Sequence, residues 1–325
     1  MINSVSIIIP TFNGQKLLER NLPAVLKCMR AQDELIVIDD ASTDATIDWL
    51  LKKFQITKPC LAGSPRAEAG RQAKFQINSK FKILKTKITV KAKSLGFVLI
   101  INHANSRFAE SVNRGVKVAQ GDHVFLLNND VSPKADCLDK LKLQVKSQKL
   151  KVFAVSCLEI EKINGKKVLG GKNKLWFERG LFQHSRADNF ESGETAWASG
   201  GSALFNRHKW LALKGFDLSY YPAYWEDLDL SFRAKQRGWL VLFNSQAQVD
   251  HNHESTNKSA FGQKKIELMS MKNIILFSWK NGSLLQKLQH LLWLPYHLIF
   301  TNLRTKGLFG LAYVNFLMSL IRPRL

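Results

Sequence analysis

An α/β fold, with a mostly parallel central sheet flanked by helices and a helical C-terminal appendage, follows from three features of this 325-residue sequence. Four short apolar runs alternate with segments of helical period in the first half of the chain. Each run stops at a cluster of polar residues. Beyond residue 255 come two further apolar stretches with basic flanks. Strands separated by helices of this length form parallel sheets covered on both faces.

The first run, VSIIIPTFNG, reads as a buried strand. The segment after it, QKLLERNLPAVLKCM, puts Leu17, Leu18, Leu22, Val25 and Leu26 on one stripe, with Asn13 available as its cap. ELIVIDDAST is the second strand, and Ser42, Thr43 or Asp44 can cap the helix ATIDWLLKKF. GFVLIINH is the third, followed by a helix carrying Phe108, Val112, Val116 and Ala119. HVFLLNND is the fourth, and Pro133 falls just inside the helix PKADCLDKLKLQVKS.

The length suits one large domain plus an appendage, and a hydrophobic share of 45% excludes a chain disordered throughout. The formal charge of +22 is segregated: residues 52–95 hold twelve basic side chains against one acidic, and residues 258–325 hold ten against one. The rest of the chain is nearly neutral. Cys28, Cys60, Cys137 and Cys157 form no CxxC pair, so they read as reduced and mostly packed, in keeping with a cytoplasmic setting. MINSVSIIIP lacks a basic leader region and reads as a first strand rather than a signal peptide.

In parallel sheets of this kind ligands bind beyond the carboxyl ends of the strands. PTFNG, DDAST and LLNND all fall there. No GxGxxG follows a strand and no GxxxxGK[ST] occurs, which disfavours a nicotinamide dehydrogenase or a P-loop enzyme. Asp130 among amide oxygens suits Mg²⁺ or Mn²⁺, hard ions that share their remaining positions with phosphates. A diphosphate-bearing substrate follows, although Asn128, Asn129 and Asp130 also suit a plain turn.

At this point the sequence resembles the inverting glycosyltransferases of family 2, which have the GT-A nucleotide-sugar-binding fold. VSIIIPTFNG resembles the opening strand and nucleotide loop, and IVIDDASTDAT the second strand, whose paired acids contact base and ribose. NSRFAESVNRGVKVAQGDHVFLLNND resembles the long stretch ending in the DxD-like metal motif. WASGGSALFNRHKWLALKGFD resembles the acceptor side, and WEDLDLSFRAKQRGW the helix bearing the catalytic acid. The likeness covers residues 1–255, read as the glycosyltransferase domain, with residues 256–325 as appendage.

The resemblance implies roles for particular residues. Pro10, Thr11 and Asp40 would line the nucleotide, with Asn113 and Asn129 near it. Asp130 would coordinate the metal bridging the diphosphate, with His251 of VDHNHEST as a further ligand and His253 as the alternative. Asp227 would be the base that deprotonates an acceptor hydroxyl, and Glu226 would orient that acceptor beside Trp197 and Gly200. The crowding of Glu226, Asp227 and Asp229 favours a raised pKa, although an acidic first helical turn is also what the helix dipole favours.

Two positions depart from the family pattern: Arg107 stands where N-x-G-F-A has glycine, and Asn128 leaves Asp130 as the only charged member of the DxD-like motif, as in rhamnosyltransferase-like members. Residues 52–95 read as a Lys-rich insertion. KILKTKITVKAK alternates enough for a hairpin strand, but its lysine density favours a mobile surface segment. In the appendage, the uncharged runs within LLQKLQHLLWLPYHLIFTNL and GLFGLAYVNFLMSLI fall short of the roughly 20 residues needed to span a bilayer. With Lys287, Arg304, Lys306, Arg322 and Arg324 beside them they read as helices lying in a membrane interface, or else packed on the catalytic domain or a second subunit.

The expected protein is therefore a metal-dependent inverting glycosyltransferase on the inner face of the plasma membrane. Its donor would be dTDP-rhamnose or a UDP-sugar, and its acceptor a glycan or lipid-linked hydroxyl in cell-surface polysaccharide synthesis. The alternatives are a basic nucleic-acid-binding protein and an inactive nucleotide-sugar binder. Segregation of the charge away from the motifs argues against nucleic acid.

Overall fold

The computed structural model describes residues 4–56, 74–77, 79–90, 93–147, 151–251 and 262–321. His253, Cys60, Arg322, Arg324 and much of the insertion lie outside them.

The chain opens with β1 (Val5–Thr11), α1 (Gln15–Cys28), β2 (Glu34–Asp39) and α2 (Thr46–Lys53). β3 (Lys74–Ile77), β4 (Phe81–Val90), β5 (Lys93–Asn102), α3 (Arg107–Val118), β6 (His123–Leu127), β7 (Val131–Pro133) and α4 (Cys137–Ser147) follow. Next come β8 (Val152–Ile163), β9 (Lys166–Gly170), the hairpin β10 (Asn173–Glu178) and β11 (Leu181–Arg186), β12 (Gly193–Glu194) and β13 (Ser202–Asn206). α5 (Arg207–Ala212), α6 (Glu226–Gln236) and β14 (Leu240–His251) lead to the C-terminal helices α7 (Gln263–Asn281), α8 (Leu284–Tyr296) and α9 (Leu308–Ile321).

The sheet runs β12-β14-β8-β13-β6-β1-β2-β5-β4-β3, with β7 beside β14 and β9 beside β8. Its centre, β6-β1-β2-β5, is parallel, as the alternation of apolar runs and helices requires. Period-two alternation divides each central strand between two cores. Ile7, Ile9, Val37, Leu99 and Phe125 face α1, α2 and α4. Ile8, Ile36, Ile38, Ile100 and Leu126 pack on Val112 and Val116 of α3, and with Trp210, Leu230 and Ala234. A third cluster joins Phe182 of β11, Trp225, Leu228 and the α7 residues Ile275 and Phe277 to Phe309 and Phe316 of α9.

Three local expectations are corrected. The residue before α1 is Gly14, which gives no side-chain cap, and Asn13 instead turns away at φ 47°. Its Oδ1 accepts from Thr43 N at 2.7 Å, tying the first loop to the second. Pro133 ends β7 rather than entering a helix, because Val131–Pro133 is drawn into pairing with β14, and α4 starts at Cys137. The lysine-dense stretch is not a mobile surface segment over its described part. β4 pairs along ten residues with β5, burying Ile83, Leu84 and Ile88 while Lys82 and Lys87 point to solvent. The few large apolar residues fall where the sheet face needs them.

Candidate active site at the carboxyl ends of the strands

Pairing register builds one half of the site. β14 runs antiparallel to β7 with His251 opposite Val131, which sets the imidazole beside the preceding residue, Asp130. On its other side β14 pairs with β8, and a bulge between Asn244 and Gln248 resets the register so that Val249 meets Glu159. Glu159 and Glu161 sit two apart on β8 and therefore share a face. The result is a buried cluster: His251 Nε2 lies 3.4 Å from Asp130 Oδ1, and Nδ1 lies 3.8 Å from Glu159 Oε2 and from Glu161 Oε1.

Electrostatics match that geometry. Burial opposes charge on His251, but Asp130 and Glu159 outweigh it and hold the imidazole up to about 10. Burial works against ionised Glu159 as well, and His251 and Ser202 more than offset it, leaving its pKa below the usual value. Ser202 Oγ donates to Glu159 Oε1 at 2.5 Å, and the Arg186 guanidinium reaches Glu161 Oε2 at 3.3 Å.

The donor set fits a divalent cation. Glu159, Glu161 and His251 bring ligand atoms within 4.8 Å of one another. Asp130 Oδ1 is buried, and its near polar neighbour is His251 Nε2 at 3.4 Å, too long for a well-formed hydrogen bond. Oxygen ligands plus one imidazole suit Mn²⁺ or Mg²⁺ better than a thiolate-seeking metal.

The other half lies where α6 begins. Asp227 Oδ2 accepts from Gly200 N at 3.1 Å and Oδ1 from Leu228 N at 2.8 Å. Burial raises its pKa against those bonds. Burial, then the charge of Asp227, push Glu226 up to about 8, and its Oε2 has no hydrogen bond. Asp229 is otherwise occupied, accepting from Tyr220, Arg233 and Asn281. The two halves meet at the glycine pair: Asn128 N donates to Gly201 O at 2.9 Å, and a Cβ on Gly201 would stand 2.5 Å from Asn128 Nδ2. A larger residue there would have to displace the Asn128 amide.

Along the rim of β1 and β2, Asn129 Nδ2 donates to Thr11 Oγ1 at 2.9 Å, and Pro10 pairs with Ile38. Asp40 turns inward. Its carboxylate accepts from Asn102 Nδ2 at 2.7 Å, Ser106 N at 2.8 Å and Arg107 N at 2.8 Å, closing the start of α3. Asp39 keeps a buried Oδ1 without a hydrogen bond, and burial raises its pKa. Asn113 is spent on the main chain of Phe216, donating to its carbonyl at 2.8 Å and accepting from its N–H at 2.9 Å. Arg107 adopts φ 68°, the left-handed conformation that explains the glycine of the usual pattern. Trp197 is half-buried, its ring edge-to-face with His184 at 5.3 Å, and His184 meets Trp225 at 4.9 Å.

A family model described as glycosyltransferase-like family 2 matches residues 94–269, more than half of the chain, and a glycosyl transferase family 2 model matches residues 6–65. The chain belongs to glycosyltransferase family 2. No curated protein matches the sequence. Among solved structures, GalNAc-T7 with UDP, GalNAc and Mn²⁺ is 15% identical at a TM-score of 0.59, covering 85% of this chain and 47% of its own. The family 2 chain thus spans about half the length of GalNAc-T7. Staphylococcus aureus TarS residues 1–349 with UDP-GlcNAc is 14% identical at 0.59, covering 97% of this chain and 81% of its own. The mannosyltransferase PcManGT from Pyrobaculum calidifontis, with GDP-Man and Mn²⁺, is 15% identical at 0.54, covering 99% and 76%. These likenesses show a shared GT-A fold.

Within this family 2 chain, Asp130 and His251 come together, as do Glu226, Asp227 and Gly200. Asp40 and Asn113 have their polar groups committed elsewhere. Glu159 and Glu161 were not singled out from the sequence; two acids at strand period inside the apolar run VFAVSCLEIE were the available signal.

Proposed function

We propose that this chain transfers a sugar, with inversion, from a nucleoside-diphosphate donor to a hydroxyl of a glycan or lipid-linked acceptor in cell-surface polysaccharide synthesis. The observation that carries this reading is the pairing of buried Asp130 with His251, one glycine turn from a half-buried, main-chain-held Asp227. Asp130 and His251 would hold Mg²⁺ or Mn²⁺, with Glu159 and Glu161 behind them. Once bound, the ion supplies positive charge against the charge growing on the leaving diphosphate.

The chain's own residues supply the rest. Thr11, Pro10 and Asn129 form the rim for the nucleotide, with Asp39 and Asp40 beside them. Asp227, raised by burial, accepts the acceptor proton. Glu226 keeps its own proton at neutral pH and donates a hydrogen bond to the acceptor. Trp197 and Gly200 border that position. A single displacement with base and leaving group on opposite sides inverts the anomeric carbon. The donor is dTDP-rhamnose or a UDP-sugar.

The same reading places the protein peripherally on the inner face of the plasma membrane. No helix among the described residues is long and apolar enough to cross a membrane. α8 and α9 nonetheless expose Leu284, Leu288, Leu292, Leu311, Val314 and Ile321 on one side while burying Phe309 and Phe316 on the other. Lys287, Arg304 and Lys306 border that surface and suit anionic headgroups.

The test is a panel of dTDP- and UDP-sugars with Mn²⁺ or Mg²⁺, scored for nucleoside diphosphate release and, once an acceptor turns over, for the product's anomeric configuration by NMR. One donor should be consumed and the configuration inverted. Retention, or no turnover of any donor, contradicts the proposal.

A further inference from the structure

The stretch leading into α6 ends on two left-handed residues, Tyr224 at φ 74° and Trp225 at φ 76°. Neither is glycine, so this conformation has to be imposed from outside. One side chain reaches three carbonyls of this stretch at once. Asn273 of α7, 0% exposed, places Nδ2 2.9 Å from the carbonyl oxygens of Tyr220, Ala223 and Tyr224. Two amide hydrogens are shared among three acceptors, which suits one loop geometry and few others.

Other α7 side chains hold the same stretch. Lys272 Nζ donates to Ser219 O at 3.2 Å, Lys280 pairs with Asp217, and Asn281 Nδ2 donates to Asp229 Oδ1 at 2.9 Å. The ring of Phe277 packs on Trp225 at 5.1 Å. The left-handed turn at Trp225 sets the direction in which Glu226 and Asp227 leave. Along that direction Asp227 Oδ2 accepts from Gly200 N at 3.1 Å.

We propose that Asn273 is a positioning residue for the catalytic turn, so that α7, which lies beyond the last sequence motif, is part of the catalytic apparatus. This rests on the reading of Asp227 as the base. Asn273 touches neither donor nor acceptor; it acts through the loop.

The experiment uses the full chain carrying Asn273→Ala, Asn273→Asp or Asp227→Asn. Three readouts are taken: hydrolysis of the donor found to turn over, binding of UDP and dTDP with Mn²⁺, and amide hydrogen exchange. Asn273→Ala should lower kcat about 100-fold with donor KM and nucleotide Kd within about twofold. Exchange should quicken across residues 217–229 and stay slow in β1. Asn273→Asp keeps the shape but aims lone pairs at carbonyls, so it should lose at least as much. If Asn273→Ala does not fold, Asn281→Ala is read in the same way, with a loss of about tenfold. An unchanged kcat in a folded variant, or parallel loss of kcat and nucleotide binding, overturns the proposal. Should Asp227→Asn keep full turnover, it is the base assignment that fails. Exchange then decides the role of Asn273: unchanged protection of residues 217–229 overturns it.

Discussion

Glu226 and Asp227 are adjacent and burial raises the pKa of both, yet their hydrogen bonding differs. Two main-chain N–H groups hold the Asp227 carboxylate, whereas Glu226 Oε2 has none. Burial and the neighbouring charge push Glu226 from its usual 4.5 to about 8. Turnover should therefore fall as pH rises through about 8, when Glu226 loses the proton it donates. Glu226→Gln, a permanent donor, should keep its rate past that pH; a wild-type profile in that variant would contradict the role. Stability follows the same titration. Between 4.5 and 8 the folded state binds the proton that the unfolded chain has released, so stability declines as pH rises through that window. Glu226→Gln should flatten this slope in melting experiments.

At the scale of elements, the central strands were legible because β1, β2, β5 and β6 are buried on both faces and read as unbroken apolar runs. β4 was harder to read, since its lysines and isoleucines alternate only loosely. A thermodynamic measurement separates a sheet strand from a surface segment there. Leu84, 2% exposed, should cost about 2–5 kcal/mol on replacement by alanine, against about 0.5 kcal/mol for a surface position. The metal half of the site divides the same way. Asp130 announces itself by ending an apolar run in polar residues, and His251 by closing the last strand of the sheet. Glu159 and Glu161 gain meaning only through the bulge between Asn244 and Gln248, a tertiary feature with no local sequence mark. Asp40, expected near the nucleotide from the family likeness, also has its carboxylate accepting from Ser106 N and Arg107 N at the start of α3, a partnership with no local sequence mark.

Across the whole molecule, polar chemistry lies at the carboxyl end of the sheet, and the largest exposed apolar surface lies on α8 and α9. Both helices are apolar on their inner and outer sides, a pattern suited to lying between protein and lipid. Full-length protein should float with anionic vesicles, and less with neutral ones. Leu292→Asp with Phe300→Asp should weaken flotation about tenfold or more, since charge replaces two exposed anchors. Equal recovery of wild type and variant would contradict a bilayer-facing surface. The central claim is a division of labour between two carboxylates, Asp130 for metal and diphosphate and Asp227 for the acceptor proton. Calorimetric binding of UDP and dTDP with and without Mn²⁺, for wild type, Asp130→Asn and Asp227→Asn, tests it most directly. Wild type and Asp227→Asn should bind one nucleotide in a Mn²⁺-dependent way, while Asp130→Asn loses that dependence. Mn²⁺-independent binding in wild type, or equal loss in both variants, would contradict it.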